Sequence, residues 1–267
     1  MSRIDLLVAG LFLIATLPAT LNAQEQESIF HATSGDSDSG APEIPTAELQ
    51  ELITAGDAVV LDARPHLEWA ISHIPGARNV SAKPDVPMSS YVSDVAEVDR
   101  LLGGVKNRRL VLYCNGPFCG KSKRLAEQLM QAGYEDVLRY QLGAPVWRAL
   151  GGVMVIEPDG VRYVHEKDGT AVFIDARDPE EYGTATFPGA RNLPRSKVLP
   201  GKDVGEVRSA KDDGRLPMED HNTRIVVFGT NGEQAKAVAE AIAREAFQNV
   251  TYFANDYEAM RALAVTR

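Results

Sequence analysis

The chain has 267 residues, a net charge of −9 and 44% hydrophobic residues, enough apolar material for one or two globular domains with real cores. The acidic balance gives no support for a nucleic-acid-binding face, which needs a basic surface. Two cysteines, Cys114 and Cys119, are too few for a disulfide-stapled secreted fold and read instead as a local chemical feature.

Residues 1–23 read as a signal peptide. Arg3 is a short basic start, Leu6 to Leu17 is an apolar run, and Leu21-Asn22-Ala23 offers a small residue for cleavage. The run is shorter than the roughly 20 apolar residues that a membrane span needs. Cleavage is therefore favoured over an uncleaved anchor, and the expectation is a periplasmic or secreted protein with no stable membrane insertion. Residues 24–41 are polar and end in Ser34-Gly35-Asp36-Ser37-Asp38-Ser39-Gly40, the composition of a flexible linker.

From Pro42 onward the signals alternate. Thr46 is a plausible N-cap for a helix through Ala55. Ala58–Leu61 reads as a short buried strand, Pro65–Ala70 as a helical turn opened by proline, Arg78–Val80 as a second strand and Asp94–Leu102 as a helix. Arg109–Tyr113 is a strongly apolar third strand, Gly120–Ala132 an amphipathic helix, Asp136–Tyr140 a fourth strand and Pro145–Leu150 a last short helix, with Gly151-Gly152 closing the unit. Strands alternating with helices, the strands lacking clean polar alternation, imply a small parallel sheet covered by helices on both faces.

The order then recurs. Ala171–Ile174, Arg224–Phe228 and Asn249–Tyr252 repeat the first, third and fourth strands, and Gly232–Ala246 and Asn255–Leu263 repeat the last two helices. Leu61-Asp62-Ala63-Arg64-Pro65 returns as Ile174-Asp175-Ala176-Arg177-Asp178-Pro179, and Ile74-Pro75-Gly76-Ala77-Arg78-Asn79 as Phe187-Pro188-Gly189-Ala190-Arg191-Asn192, about 113 residues later. A period of that size means two tandem α/β domains, over 42–152 and 153–267, and not a solenoid. Arg195–Met218, rich in Lys, Asp, Gly and Pro, reads as a long surface insertion.

Cys114 stands at the end of the third strand, and Asn115-Gly116-Pro117-Phe118-Cys119-Gly120 turns into a helix. Ligands of parallel α/β sheets bind beyond the carboxyl ends of the strands, and a helix N-terminus offers unpaired N–H groups and partial positive charge. Both favour thiolate, and Lys121 adds positive charge. Gly116 and Gly120 are expected to let the loop curl tightly.

Asp62-Ala63-Arg64 with Glu68, then His73 through Asn79, resembles the opening signature of the rhodanese family. Val111-Leu112-Tyr113-Cys114 looks like its strand into the active-site loop, and Leu142-Gly143 through Trp147 and Gly152 like its closing segment. The resemblance covers nearly all of Pro42–Arg267 and implies two tandem rhodanese-like domains. It implies that Cys114 is the nucleophile of a sulfurtransferase, forming a persulfide cradled by the loop of Asn115, Gly116, Pro117, Phe118, Gly120 and Lys121. A small sulfur-containing donor and a thiol protein or cyanide acceptor would be its partners, with no cofactor, metal or nucleic acid. The bland alternative is a buried inert cysteine.

Cys119 departs from the commonest family loop. It reads either as a resolving thiol that attacks a Cys114 persulfide or sulfenate, or as a partly buried loop residue; a permanent disulfide is a third option. Two sulfurs with no histidine at ligand spacing fall short of a metal site. Asp62 and Arg64 read as structural support, because the second half keeps Asp175 and Arg177 while Gly229 replaces the cysteine. His73, opposite Thr186, reads as a turn residue. A phosphatase of related fold would need an arginine at position 120, which is glycine. The remaining competitor to sulfur transfer is a redox-sensing or binding module that uses the Cys114/Cys119 pair without turnover.

Overall fold

The computed structural model describes residues 28–35, 40–81 and 92–264. The signal segment 1–23 lies outside them. Among the described residues no helix is long and apolar enough to cross a membrane.

The first half runs α1 (Thr46–Ala55), β1 (Val59–Asp62), α2 (His66–Ile71), β2 (Arg78–Asn79), α3 (Val95–Leu102), β3 (Leu110–Tyr113), α4 (Gly120–Gln131), β4 (Val137–Tyr140) and α5 (Gly143–Ala149). Its four strands are parallel in the order β2-β1-β3-β4. The second half runs β5 (Met154–Ile156), α6 (Pro158–Lys167), β6 (Val172–Asp175), α7 (Pro179–Thr184), β7 (Arg191–Asn192), a 3₁₀ turn (Arg195–Lys197), α8 (Gly205–Asp212), β8 (Ile225–Phe228), α9 (Gly232–Ala243), β9 (Val250–Phe253) and α10 (Tyr257–Leu263). Its sheet is also parallel, in the order β5-β9-β8-β6-β7. The expected architecture of two covered parallel sheets is thus the observed one.

The central strands each feed two cores because successive side chains point to opposite faces. In β3, Leu110 and Leu112 join the cluster under α3 and α4, while Val111 and Tyr113 join the one under α1 and α5. In β8, Ile225 and Val227 face α8 and α9, and Val226 and Phe228 face α6 and α10. This explains the runs without alternation: all four residues of each strand are buried.

Several expectations are corrected. Thr46 is not a cap; Pro45 holds that position, and the buried Thr46 hydroxyl bonds the Tyr140 hydroxyl at 2.9 Å. The 24–41 segment is tied down in part. Ala47 N–H donates to the Phe30 carbonyl at 3.0 Å, and the Ser34 and Gly35 amides donate to the Glu43 carboxylate at 3.0 and 3.1 Å. Arg195–Met218 is not merely a surface insertion. It contains α8, the counterpart of α3, and buries Val207, Ala210 and Leu216 in the core.

β5 and α6 join the halves. His73 and Val155 exchange backbone hydrogen bonds of 3.0 and 2.8 Å as an antiparallel bridge. Helix α6 rests on α2, and a Cβ at Gly160 would overlap the Ala70 carbonyl, so backbone seats directly on backbone. His73 is buried, its Nδ1 lies 3.0 Å from the Trp69 carbonyl, and burial holds its pKa down to about 4. It is an interdomain staple rather than a base.

Candidate functional site

Strand β3 delivers Cys114 to the carboxyl edge of the first sheet. On one side of it, the Ala63 amide donates to the Tyr113 carbonyl at 3.0 Å; on the other, the Ala144 amide donates to the Cys114 carbonyl at 3.0 Å. Gly143 makes the second contact possible. Its φ is +65°, and a Cβ there would overlap the Cys114 carbonyl and the Gly116 amide. Gly116, at φ +103°, faces it across this backbone contact.

The sulfurs of Cys114 and Cys119 are joined in a disulfide, with α-carbons 6.2 Å apart. A disulfide is the product expected of a resolving Cys119 and equally of a permanent bond, and it replaces the expectation of an unpaired loop residue. Cys114 is 2% exposed, whereas Cys119 is half-buried and stands at the N-cap position of α4 without a side-chain capping bond. The bond closes around a turn in which the Cys119 amide donates to the Gly116 carbonyl at 2.9 Å.

The cradle is narrower than the six expected loop residues. Pro117 has no N–H, and that of Cys119 is spent on Gly116. Gly120 opens α4 without a left-handed φ, and a Cβ there would meet nothing within 4 Å, so glycine is not required at that position. Phe118 contributes no wall: its side chain stands free in solvent at 104% relative exposure. Lys121 is the second residue of α4. The Asn115 side-chain amide donates to Glu68 at 2.6 Å, which brings a carboxylate to the loop's edge.

Gln141 is the residue that sequence reasoning missed. It is buried, and its Nε2 donates to the Pro117 carbonyl at 2.8 Å, with the Cys119 and Gly116 carbonyls at 3.4 and 3.5 Å. One side chain thus gathers three carbonyls of the loop inward. Its counterpart after β9 is Ala254, and comparing the two repeats at that position is the signal that was available.

Asp62 and Arg64 sit beneath the loop as a bracket. The guanidinium Nε donates to Asp62 Oδ1 at 2.9 Å, and Nη2 to Asp62 Oδ2 at 2.5 Å and to the Ser72 carbonyl at 2.6 Å. Burial alone would lower the Arg64 pKa, but the Asp62 carboxylate outweighs it and holds the guanidinium above its ordinary value. The Tyr113 hydroxyl donates to Asp62 Oδ2 at 2.5 Å and accepts from the Ile74 amide at 3.1 Å. These groups spend their hydrogen bonds on one another and on the backbone.

In the second half, Asp175–Arg177 repeats the bracket at 2.6 Å, but the loop above it is different. Only residues 229–231 connect β8 to α9, against 114–119 between β3 and α4. Gln234 Oε1 accepts from the Thr230 amide at 2.7 Å and lies 2.5 Å from where a Cβ at Gly229 would stand. Asn231 caps α9 by accepting from the Gln234 amide at 2.9 Å. The helix start is filled by the chain's own side chains.

A profile described as the rhodanese-like domain matches residues 45–150 and again 163–263. An HTH-type transcriptional regulator of Mycobacterium tuberculosis is 34% identical over 114 residues, 42% of this chain and 45% of that protein, so the chain spans less than half its length. Among solved structures, a thiosulfate sulfurtransferase from Pseudomonas aeruginosa is 20% identical over 80% of this chain and 43% of its own, with a TM-score of 0.35. A 3-mercaptopyruvate sulfotransferase from Escherichia coli is 21% identical over 78% of this chain and 95% of its own, with a TM-score of 0.33. With the profile matched twice over most of its length, the chain belongs to the rhodanese-like domain family, as a tandem of two such domains.

Proposed function

We propose that the protein is an exported sulfurtransferase that carries sulfane sulfur as a Cys114 persulfide to a thiol or cyanide acceptor. The observation that carries this reading is the setting of Cys114. It is the sole cysteine at a strand's carboxyl end in a duplicated family fold, beside the N-terminus of the 12-residue α4, with Gly143 and Gln141 shaping the loop around it. A helix N-terminus favours the thiolate that must attack the donor's outer sulfur. In the disulfide form that thiolate is absent, so sulfur transfer begins from the reduced pair.

The test is to reduce the full chain, remove the reductant, and supply thiosulfate and then cyanide. Reduced protein is expected to gain about 32 Da, one sulfur atom, on Cys114 and to release thiocyanate. Cys114→Ser should lower turnover by at least about 1,000-fold, the scale seen when a catalytic nucleophile is removed. Turnover that survives this substitution sinks the reading. The disulfide itself favours a second reading, a redox module that toggles without turnover; a reduced protein that reoxidises readily and never takes up sulfur would establish it. Export rests on the 1–23 segment and is checked by the N-terminal sequence of the protein recovered from the host.

A further inference from the structure

The Cys114–Cys119 bond has one open side. Cys114 is 2% exposed, Cys119 is half-buried, and the two residues before Cys119 are exposed, Phe118 at 104%. A thiolate breaking a disulfide must reach one sulfur on the side away from the other, so access decides which sulfur is attacked. Of the two residues, Cys119 is the one open to solvent.

We propose that the pair is a substrate for a protein dithiol, which enters at Cys119 and releases Cys114, docking over Phe118. The inference rests on the pair itself and not on sulfur transfer. The first partner thiolate forms a bond to Cys119 Sγ while the Cys119–Cys114 bond breaks, and the electron pair leaves on Cys114 Sγ. The partner's second thiolate then attacks its own first sulfur and expels Cys119 as thiolate. Two electrons and two protons pass from the partner, which becomes a disulfide, to the pair, which becomes two thiols.

The scaffold explains why a dithiol is required. Gln141 holds the carbonyls of Gly116, Pro117 and Cys119, and the Cys119 amide holds Gly116, so the loop keeps its shape when the bond opens. Cys114 then remains beside Cys119 at high effective concentration. A monothiol joined to Cys119 is expelled when Cys114 reattacks; a dithiol's second thiol competes because it is also intramolecular. The free-standing Phe118 ring next to the point of entry fits a macromolecular partner with an apolar rim, since large exposed aromatics anchor protein contacts.

The oxidised full chain would be mixed with a large excess of reduced thioredoxin whose second cysteine is replaced by serine, quenched in acid while exchange is running so that the fraction held as mixed disulfide is trapped before Cys114 reattacks, and then alkylated. The expected product carries thioredoxin on Cys119 and the alkyl group on Cys114. With intact reduced thioredoxin, Phe118→Ala should lower the ratio of its rate to that of dithiothreitol about tenfold. 2-Mercaptoethanol at equal thiol concentration should leave most of the pair oxidised. An adduct on Cys114, an unchanged ratio for Phe118→Ala, or thioredoxin no faster than 2-mercaptoethanol would overturn the proposal. A reduced protein that accepts no sulfur counts against the sulfurtransferase reading and leaves this result untouched.

Discussion

After β3 the chain uses residues 114–119 to enter its next helix; after β8 it uses 229–231. Both connections leave a strand above the same buried Asp–Arg bracket, at 2.5 Å in the first half and 2.6 Å in the second. What separates them is where the polar backbone goes. In the first half a distant glutamine, Gln141, gathers the loop carbonyls and leaves the outer face open. In the second, Gln234 and Asn231 satisfy the amides locally and fill the space. The loss of the cysteine at Gly229 is therefore one part of a larger closure, since a side chain there would collide with Gln234. The bracket stands in both halves because it supports the fold, while the loops above it take different courses.

The largest effect is expected where the first loop has no tolerance. Gly143→Val puts a side chain on the Cys114 carbonyl and Gly116 amide at a left-handed φ. It should destabilise the protein by more than about 3 kcal/mol in urea unfolding. It should also remove chemistry at Cys114. Gly229 faces a movable glutamine side chain, so Gly229→Ala should cost less. Equal losses at the two positions would erase the distinction between a held loop and a filled one.

A second contrast is electrostatic. His73 in the first half stands where Thr186 stands in the second, and only the former titrates. Its pKa falls from the ordinary 6.5 to about 4 because burial disfavours the imidazolium, opposed in part by the Trp69 carbonyl. The folded pKa is depressed, so the stability is fully present above pH 6.5 and is lost as pH falls toward 4, where the unfolded chain is protonated and the folded one is not. The loss approaches about 3 kcal/mol. Nearby Glu157, pushed up by burial, works in the opposite sense. His73→Asn should flatten the acid limb of a stability–pH curve measured in Glu157→Gln; an unchanged limb would show that His73 is not its source.

The smallest effect tests an exchange of hydroxyls. In the first half the Tyr113 hydroxyl donates to Asp62; in the second, Phe228 lacks one and the Thr186 hydroxyl donates to Asp175 at 2.7 Å. Thr186→Val should cost about 2 kcal/mol, the scale of a hydrogen bond to a buried charge. Adding Phe228→Tyr should recover part of it. No recovery would mean that the two brackets are built differently.

Much of this was legible in the sequence. The apolar strands and the two repeated phrases led directly to two parallel sheets, because four-residue buried strands carry their own signal and the repeat checks each against its partner. Cys114 was legible from its place after β3. Helix α8 was not, since Val207, Ala210 and Leu216 are diluted among Lys, Asp and Gly while still reaching the core. Strand β5 was hidden by its length, three residues. Gln141 carried no local pattern at all. Its role depends on a contact across about two dozen residues of chain, and tertiary contacts of that kind leave no periodicity behind.

The backbone-on-backbone seat at Gly160 has a mechanical consequence. With α6 pressed on the Ala70 carbonyl and His73 paired to Val155, backbone meets backbone at the waist between the halves, and Ile71 beside it packs into the second core. The second half thereby works as an outrigger, bracing the helix that carries Glu68 beside the loop. A contact made in one half is thus carried through a single helix to the Asn115 side of the loop in the other.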